Sequence, residues 1–225
     1  MAMKEITFLG RSDAALSMFF EILYSIHQGY FKAHIVQNME TNLGKSYPFE
    51  IDGVETKFSS IEVWEYDGTE DLVIGVNLAA TKRAVYDAFN TKFGIEMTEY
   101  QRLIHVSAQV AIKAELSSGV ILNPGTIVGP YSSLHELVTV NRAATIGHHS
   151  TVKEFTTIHP GVNIAGHCHI GRDVTIGMGS NIIDGVSIGN NTVIGAGSLV
   201  VSDIPDNVIA YGSPAKIVKK KELQE

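Results

Sequence analysis

One cysteine, Cys168, stands among 225 residues, so no internal disulfide can form and packing alone must hold the chain together. Basic residues are also scarce: 17 Lys and Arg face 24 Asp and Glu, for a net charge of −7. A nucleic-acid binder held by phosphate contacts needs the opposite balance. There is no run of about 18 apolar residues, so no membrane-spanning helix is expected. Met1-Ala2-Met3-Lys4-Glu5 lacks the basic and apolar blocks of a signal peptide. A cytoplasmic protein is the expectation. Hydrophobic residues make up 44% and charged residues 18%, which is enough apolar content for a buried core and excludes a disordered tail.

Two periods divide the chain. Residues 1–105 alternate between strand and helix patterns. Ile6 to Gly10 is an apolar strand ending in a glycine turn, and Ala14 to Ile26 has helical spacing at Leu16, Phe19, Phe20, Leu23 and Ile26. Further strands are expected near Ala33–Gln37 and Leu72–Val76, and a helix over Thr81–Phe93. Strand, helix, strand at these lengths predicts a small parallel, Rossmann-like α/β sheet, in which ligands bind at the carboxyl ends of the strands. Those ends carry Arg11, Ser12 and Asp13, then Gln37 and Asn38, then Gly75, Val76 and Asn77. No Gly-x-Gly-x-x-Gly fingerprint is present, so ordinary strand-to-helix turns remain the alternative reading.

Residues 106–205 follow a different rule. From Val110 to Val200, every sixth residue is Leu, Ile or Val, and the residue two before each is small or β-branched. Strand side chains alternate, so both positions point inward from a short strand. One hexapeptide per face of a three-sided parallel β-helix accounts for the pattern. Glycine often follows the aliphatic residue, as at Gly129, Gly147, Gly171, Gly177, Gly189 and Gly195, where a turn is expected. Solenoid ends need caps. The α/β half is expected over one end, and residues 206–225, with Tyr211-Gly212-Ser213-Pro214-Ala215-Lys216, over the other.

The register sorts the reactive residues. Cys168 takes a small inward slot, which marks a buried structural thiol and not a nucleophile. His148, His149, His159, His167 and His169 all fall off the inward positions. Surface histidines in turns are common, but His148 has Gly166 stacked one coil later and Pro130 one coil earlier, which leaves room beside its ring.

At this point the chain resembles a known family, the hexapeptide sugar acyltransferases of the sialic acid O-acetyltransferase and bacillosamine N-acetyltransferase type. The resemblance rests on Phe8-Leu9-Gly10, His105-Val106-Ser107-Ala108 and Val140-Asn141-Arg142-Ala143-Ala144-Thr145-Ile146-Gly147-His148. Ile194-Gly195-Ala196-Gly197-Ser198 and Gly212-Ser213-Pro214-Ala215-Lys216 complete it. It implies a left-handed β-helix, a homotrimer, and a place in surface polysaccharide biosynthesis. It further implies acyl-CoA, most simply acetyl-CoA, as donor and a nucleotide-activated amino sugar as acceptor, with no metal, nucleic acid or membrane insertion. His148 matches the family's general base, with His149 beside it. Thr157, Gly166, Met178 and Ala196 match acyl-CoA contacts. Arg11, Ser12, Asp13, Gln37, Asn38 and Gly75 match nucleotide-sugar contacts. Three positions depart from the family pattern. His149 stands where an acidic residue usually follows the base, so the orienting carboxylate is either missing or comes from elsewhere, with Glu154 a candidate. Thr157 replaces a frequent histidine, and Gln37-Asn38 replace acidic residues.

The chemistry implied is direct attack of a sugar amine on the thioester, with a histidine taking the proton. Backbone N–H groups of the glycine-lined turns are candidates to hold the oxyanion. Three rivals stay open: O-acylation of a sugar hydroxyl on the same scaffold, a zinc enzyme of the β-helix carbonic anhydrase type using His149, His167 and His169, and a non-catalytic scaffold. The His-x₄-His spacing that the zinc reading needs is absent. Lys216, Lys219, Lys220 and Lys221 are read either as attractors of the CoA phosphates or as a solvated tail.

Overall fold

The computed structural model describes residues 3–28, 30–38 and 54–221; Met1, Ala2 and residues 222–225 of the expected tail lie outside the described residues. The first half is a four-stranded, all-parallel sheet. Its elements are β1 (Lys4–Leu9), α1 (Asp13–His27), β2 (Phe31–Gln37), β3 (Val54–Ser60), β4 (Leu72–Ile74) and α2 (Ala79–Phe93), in strand order β3-β2-β1-β4. Phe8, Phe19, Phe20 and Phe31 are fully buried, with ring centroids of neighbouring pairs 5.5 to 6.4 Å apart, and they fasten α1 to the sheet. Sequence reasoning missed β3. It is an edge strand, mostly exposed, in which polar residues outnumber Val54 and Phe58, so it carries no apolar run.

From Leu103 the chain winds into a three-sided parallel β-helix of two-residue strands. The first face carries Leu103–Ile104, Ile121–Leu122, Thr139–Val140, Thr157–Ile158, Thr175–Ile176 and Val193–Ile194. The second carries Gln109–Val110 through Leu199–Val200, and the third Glu115–Leu116 through Ser187–Ile188. Partners are eighteen residues apart, as in Thr139 with Thr157 and Val140 with Ile158. The inward aliphatic and small positions from Val120 onward are buried as the six-residue period requires. Val208–Gly212 pairs in parallel with Val193–Ile194 and turns back antiparallel through Ala215–Lys220, so the tail extends the first face.

Two expectations need correction. The glycines after the aliphatic residues are not the turning points. The left-handed backbone comes two residues later, at Tyr131, Leu137, Ala143, His149, Phe155, His167 and Asp173, among others. Gly147 serves close approach instead: a Cβ there would lie 2.4 Å from the Ala165 carbonyl carbon in the next coil. Likewise, the α/β half does not cover the solenoid's beginning. Val106 and Val110 are exposed there, and Ile112 is 99% exposed.

The α/β half instead packs along the first face. Ile121, Leu137 and Phe155 join its core, and Tyr86 meets Phe155 edge-on at 5.5 Å. Lys82 on α2 is wholly buried at this junction and donates to Leu137 O, Thr139 Oγ1 and Thr156 O at 2.7, 3.2 and 3.2 Å. Burial holds its pKa well below the usual lysine value, with Asp173 opposing the shift. Arg83 grips Asp173 with two hydrogen bonds of 3.2 and 2.9 Å and lies 3.8 Å over the Phe155 ring. These contacts fix the carboxyl ends of the sheet against one flank of the solenoid.

Candidate active site

The expected positions fall into three groups. At the carboxyl ends of the sheet, Arg11, Ser12, Asp13, Gln37, Asn38 and Gly75 come together. Gly10 N donates to Val36 O, Ser12 N to Gly75 O and Ile61 N to Gln37 O. Ser12 caps α1 through its hydroxyl, which accepts from Ala15 N at 3.4 Å. Asp13 is buried and accepts from Arg11 Nε at 2.7 Å, while Arg11 lies 5.1 Å over Phe58. Gly75 has no room for a side chain, because a Cβ would sit 2.1 Å from Gly10 O. A cavity of about 290 Å³ opens here, lined by Ser12, Ala14, Met18, Val76, Asn77 and Thr81 among others. It lies beside the first turn of α1, where Ser12 takes the Ala15 and Leu16 N–H groups, and of the six expected positions it is Ser12 that lines it.

Asn77 ties this cavity to the solenoid. Its Nδ2 donates to Asn141 Oδ1 at 3.3 Å, and its carbonyl accepts from Thr157 Oγ1 at 2.7 Å. Thr157, expected beside acyl-CoA, is fully buried. Its hydroxyl supports the strand end and is not presented to a ligand. Met178 and Ala196 are exposed and occupy equivalent turn positions one coil apart, on the edge between the first and second faces.

The third group lies one full face away, on the edge between the second and third faces. His148 and His149 follow the strand Thr145–Ile146, and their Nδ1 atoms are 3.1 Å apart, within hydrogen-bonding distance. Gly166 is buried beneath the His148 ring: a Cβ there would lie 2.6 Å from His148 Cε1, 2.9 Å from His148 Nε2 and 2.8 Å from Asp184 Oδ1. The missing side chain is therefore the condition for the imidazole to lie where it does. It also lets the His148 ring and Asp184 Oδ1 approach the same small space. Glu154 sits at the following edge, past the strand Thr151–Val152, so the carboxylate beside His148 is Asp184. Sequence reasoning missed it, although the eighteen-residue step from 148 through 166 to 184 contains it.

Tyr131, His149 and His167 occupy the same left-handed turn position in successive coils and stack, with centroids 4.9 and 5.0 Å apart. His148 meets His167 edge-on at 5.0 Å. Ligand atoms of His148, His149 and His167 all lie within 4.8 Å of one another, and all three residues are exposed. Cys168, next to this group, is fully buried with Sγ donating to Ile183 O at 3.2 Å; burial pushes its pKa up and leaves it unsuited as a nucleophile. His159, at the edge bearing Asn141, has its pKa lowered by burial and then by Lys82. Lys216, Lys219 and Lys220 are exposed on the terminal hairpin, and Lys221 donates to Asn191 Oδ1 at 2.5 Å. A separate groove of about 580 Å³ on the third face, lined by Lys153, His169, Ser187, Asn190 and Asp206 among others, contains none of the expected acyl-CoA positions.

Residues 167–202 match the family model of the bacterial transferase hexapeptide (six repeats). No curated protein sequence matches the chain. Solved structures share its fold along nearly the whole length. The acetyltransferase domain of PglB from Neisseria gonorrhoeae, solved with acetyl coenzyme A, is 21% identical with a TM-score of 0.79, over 96% of this chain and 100% of that one. PerB from Caulobacter crescentus, solved with CoA and GDP-perosamine, is 23% identical with a TM-score of 0.74, over 97% and 99%. WeeI from Acinetobacter baumannii is 15% identical with a TM-score of 0.71, over 96% and 100%. Among the described residues no helix is long and apolar enough to cross a membrane.

Proposed function

We propose that this chain, whose solenoid carries the bacterial transferase hexapeptide repeat and whose two halves have the fold of sugar acetyltransferases, transfers an acetyl group from acetyl-CoA to the amino group of a nucleotide-linked sugar. The observation that carries the reading is His148 seated over the bare backbone of Gly166, on a solenoid joined to an α/β half with a cavity at its strand ends. To act as the base, His148 carries its hydrogen on Nδ1, which faces His149 Nδ1 at 3.1 Å, and keeps the Nε2 lone pair over Gly166 to accept a proton. The sugar amine attacks the thioester carbonyl as Nε2 takes its proton. The tetrahedral intermediate then expels the CoA thiolate, which is protonated as it leaves. Asp184 Oδ1 is the carboxylate oxygen that reaches the same space above Gly166 as the His148 ring. The relatives solved with acetyl coenzyme A, or with CoA and GDP-perosamine, support this donor and this class of acceptor.

The arrangement also argues for a partner copy. The sugar cavity flanks the edge between the first and second faces, and His148 lies on the next edge. A second chain packed against the solenoid brings its own cavity, with Met178 and Ala196, to the His148 of the first. A cyclic trimer repeats that contact three times and closes. Cytoplasmic acyl-CoA is the natural donor pool. The test is a panel of nucleotide amino sugars with acetyl-CoA, read as CoA release and product mass. Hydroxylamine treatment separates the amide expected here from the ester that O-acylation would give. Product cleaved by hydroxylamine would move the reading to a sugar hydroxyl.

A further inference from the structure

We infer that His148, His149 and His167 form a binding site for a borderline divalent transition metal of the Zn²⁺ class, and that metal bound there silences the base. The second clause rests on the proposed function; the first does not. Neutral imidazoles are good ligands for such ions, and a tetrahedral site with Zn–N bonds of about 2.0–2.1 Å sets its nitrogens about 3.3 Å apart. The Nδ1 atoms of His148 and His149 are already 3.1 Å apart, and one ring nitrogen from each of His148, His149 and His167 can be chosen so that all three lie within 4.8 Å of one another. All three side chains are exposed, so small rotations close the remaining gap and solvent completes the shell.

The fold itself builds this convergence. His149 and His167 both have the left-handed backbone that every solenoid turn imposes at this position, which sends their rings to the same side one coil apart. The third turn in the column is Gly185, which leaves the space beyond His167 open. A carboxylate stands near the ring's other nitrogen: His148 Nε2 and Asp184 Oδ1 both border the space over Gly166, and a carboxylate behind a ligating histidine commonly orients metal sites.

The consequence follows from the tautomer. The base role proposed above requires a metal-free chain with the His148 hydrogen on Nδ1, in the 3.1 Å contact with His149 Nδ1, and with Nε2 bare. A metal needs the Nδ1 lone pairs of both rings, so each ring carries its proton on Nε2 instead. The protons move within the rings and none is lost. The nitrogen that would accept the amine proton is then occupied. A free metal ion thereby turns acyl transfer off, and a chelator turns it back on.

Co²⁺ and Zn²⁺ titrated into the whole protein in chelator-free buffer test this directly. The expected result is one saturable ion per chain, with intense four-coordinate visible bands for Co²⁺ that Zn²⁺ bleaches. His167→Ala and His149→Gln should each weaken binding at least about tenfold, the low end of the loss from removing even an outer-shell partner, with circular dichroism unchanged. Should either variant misfold, ring-proton NMR of the wild type gives the answer, since Zn²⁺ should shift the signals of these three of the nine histidines. Affinity unaltered by both substitutions, or shifts confined to other histidines, would overturn the site. In turnover, Zn²⁺ should inhibit the wild type, EDTA should restore it, and inhibition of His167→Ala should need at least about tenfold more metal; equal inhibition of both proteins would overturn the silencing. A chain that binds Zn²⁺ as described but acylates no amino sugar leaves the site standing and removes the catalytic reading.

Discussion

His148 owes its place to one absent side chain. His148→Ala should leave the fold and CoA binding intact and lower turnover by about two to four orders of magnitude, the range a general base supplies; CoA-release kinetics beside circular dichroism check this. His149→Ala should cost less, because His149 touches the base only through the 3.1 Å Nδ1–Nδ1 contact and can only orient it. If it proves the more damaging of the two while both proteins stay folded, the base is misassigned. Gly166→Ala is the sharper probe. Its methyl would press on His148 Cε1 at 2.6 Å, and the exposed ring would swing away before the coil unfolds. Turnover should fall about 10²-fold, as for an ångström-scale misplacement, with little change in melting temperature. The register exposed His148 in the sequence because position 166 is glycine. Asp184 stayed hidden: its neighbourhood is two coils away along the chain, and nothing local distinguishes it from any surface aspartate.

At the scale of the element, the six-residue period made the solenoid legible, since inward positions must be apolar or small over every face. The period could not say what its glycines do, because a sequence shows small size without showing whether φ or space demands it. Here the two demands separate onto different residues of the same turn. Ala143 has φ of +55° and is exposed, so Ala143→Gly relieves a left-handed alanine and should raise the melting temperature slightly, by the balance of about 1–2 kcal/mol of relief against about 0.5–1 kcal/mol of added chain entropy. Gly147→Ala, four residues later, forces a methyl to 2.4 Å from the Ala165 backbone and should lower it sharply. Thermal unfolding of the pair checks both signs. The edge strand β3 lay beyond pattern reading for the opposite reason, since a strand exposed on both faces needs no apolar alternation.

For the whole molecule, the junction between the halves was the least legible feature. Lys82 reads in sequence as a solvated helix charge, yet it is the buried peg between α2 and the first face. Its folded pKa lies below the unfolded value of about 10.4, so the unfolded chain binds more protons and stability should rise with pH toward about 10. Lys82→Met should flatten that rise, as read from denaturation midpoints between about pH 7 and 9.5. A slope that survives the substitution would place the titration elsewhere. The proposed transfer needs the strand-end cavity and His148, a full face apart in one chain, to meet through assembly, and light scattering at micromolar concentration should give three chains per particle. The most direct test of the central claim is acetyl-CoA turnover against a panel of nucleotide amino sugars by wild type and His148→Ala in parallel, with EDTA present. The account predicts CoA release and an amide-linked acetyl product from at least one sugar, reduced at least about 10²-fold by the substitution; release of CoA at equal rates by both proteins, or no acylated sugar from any member of the panel, would contradict it.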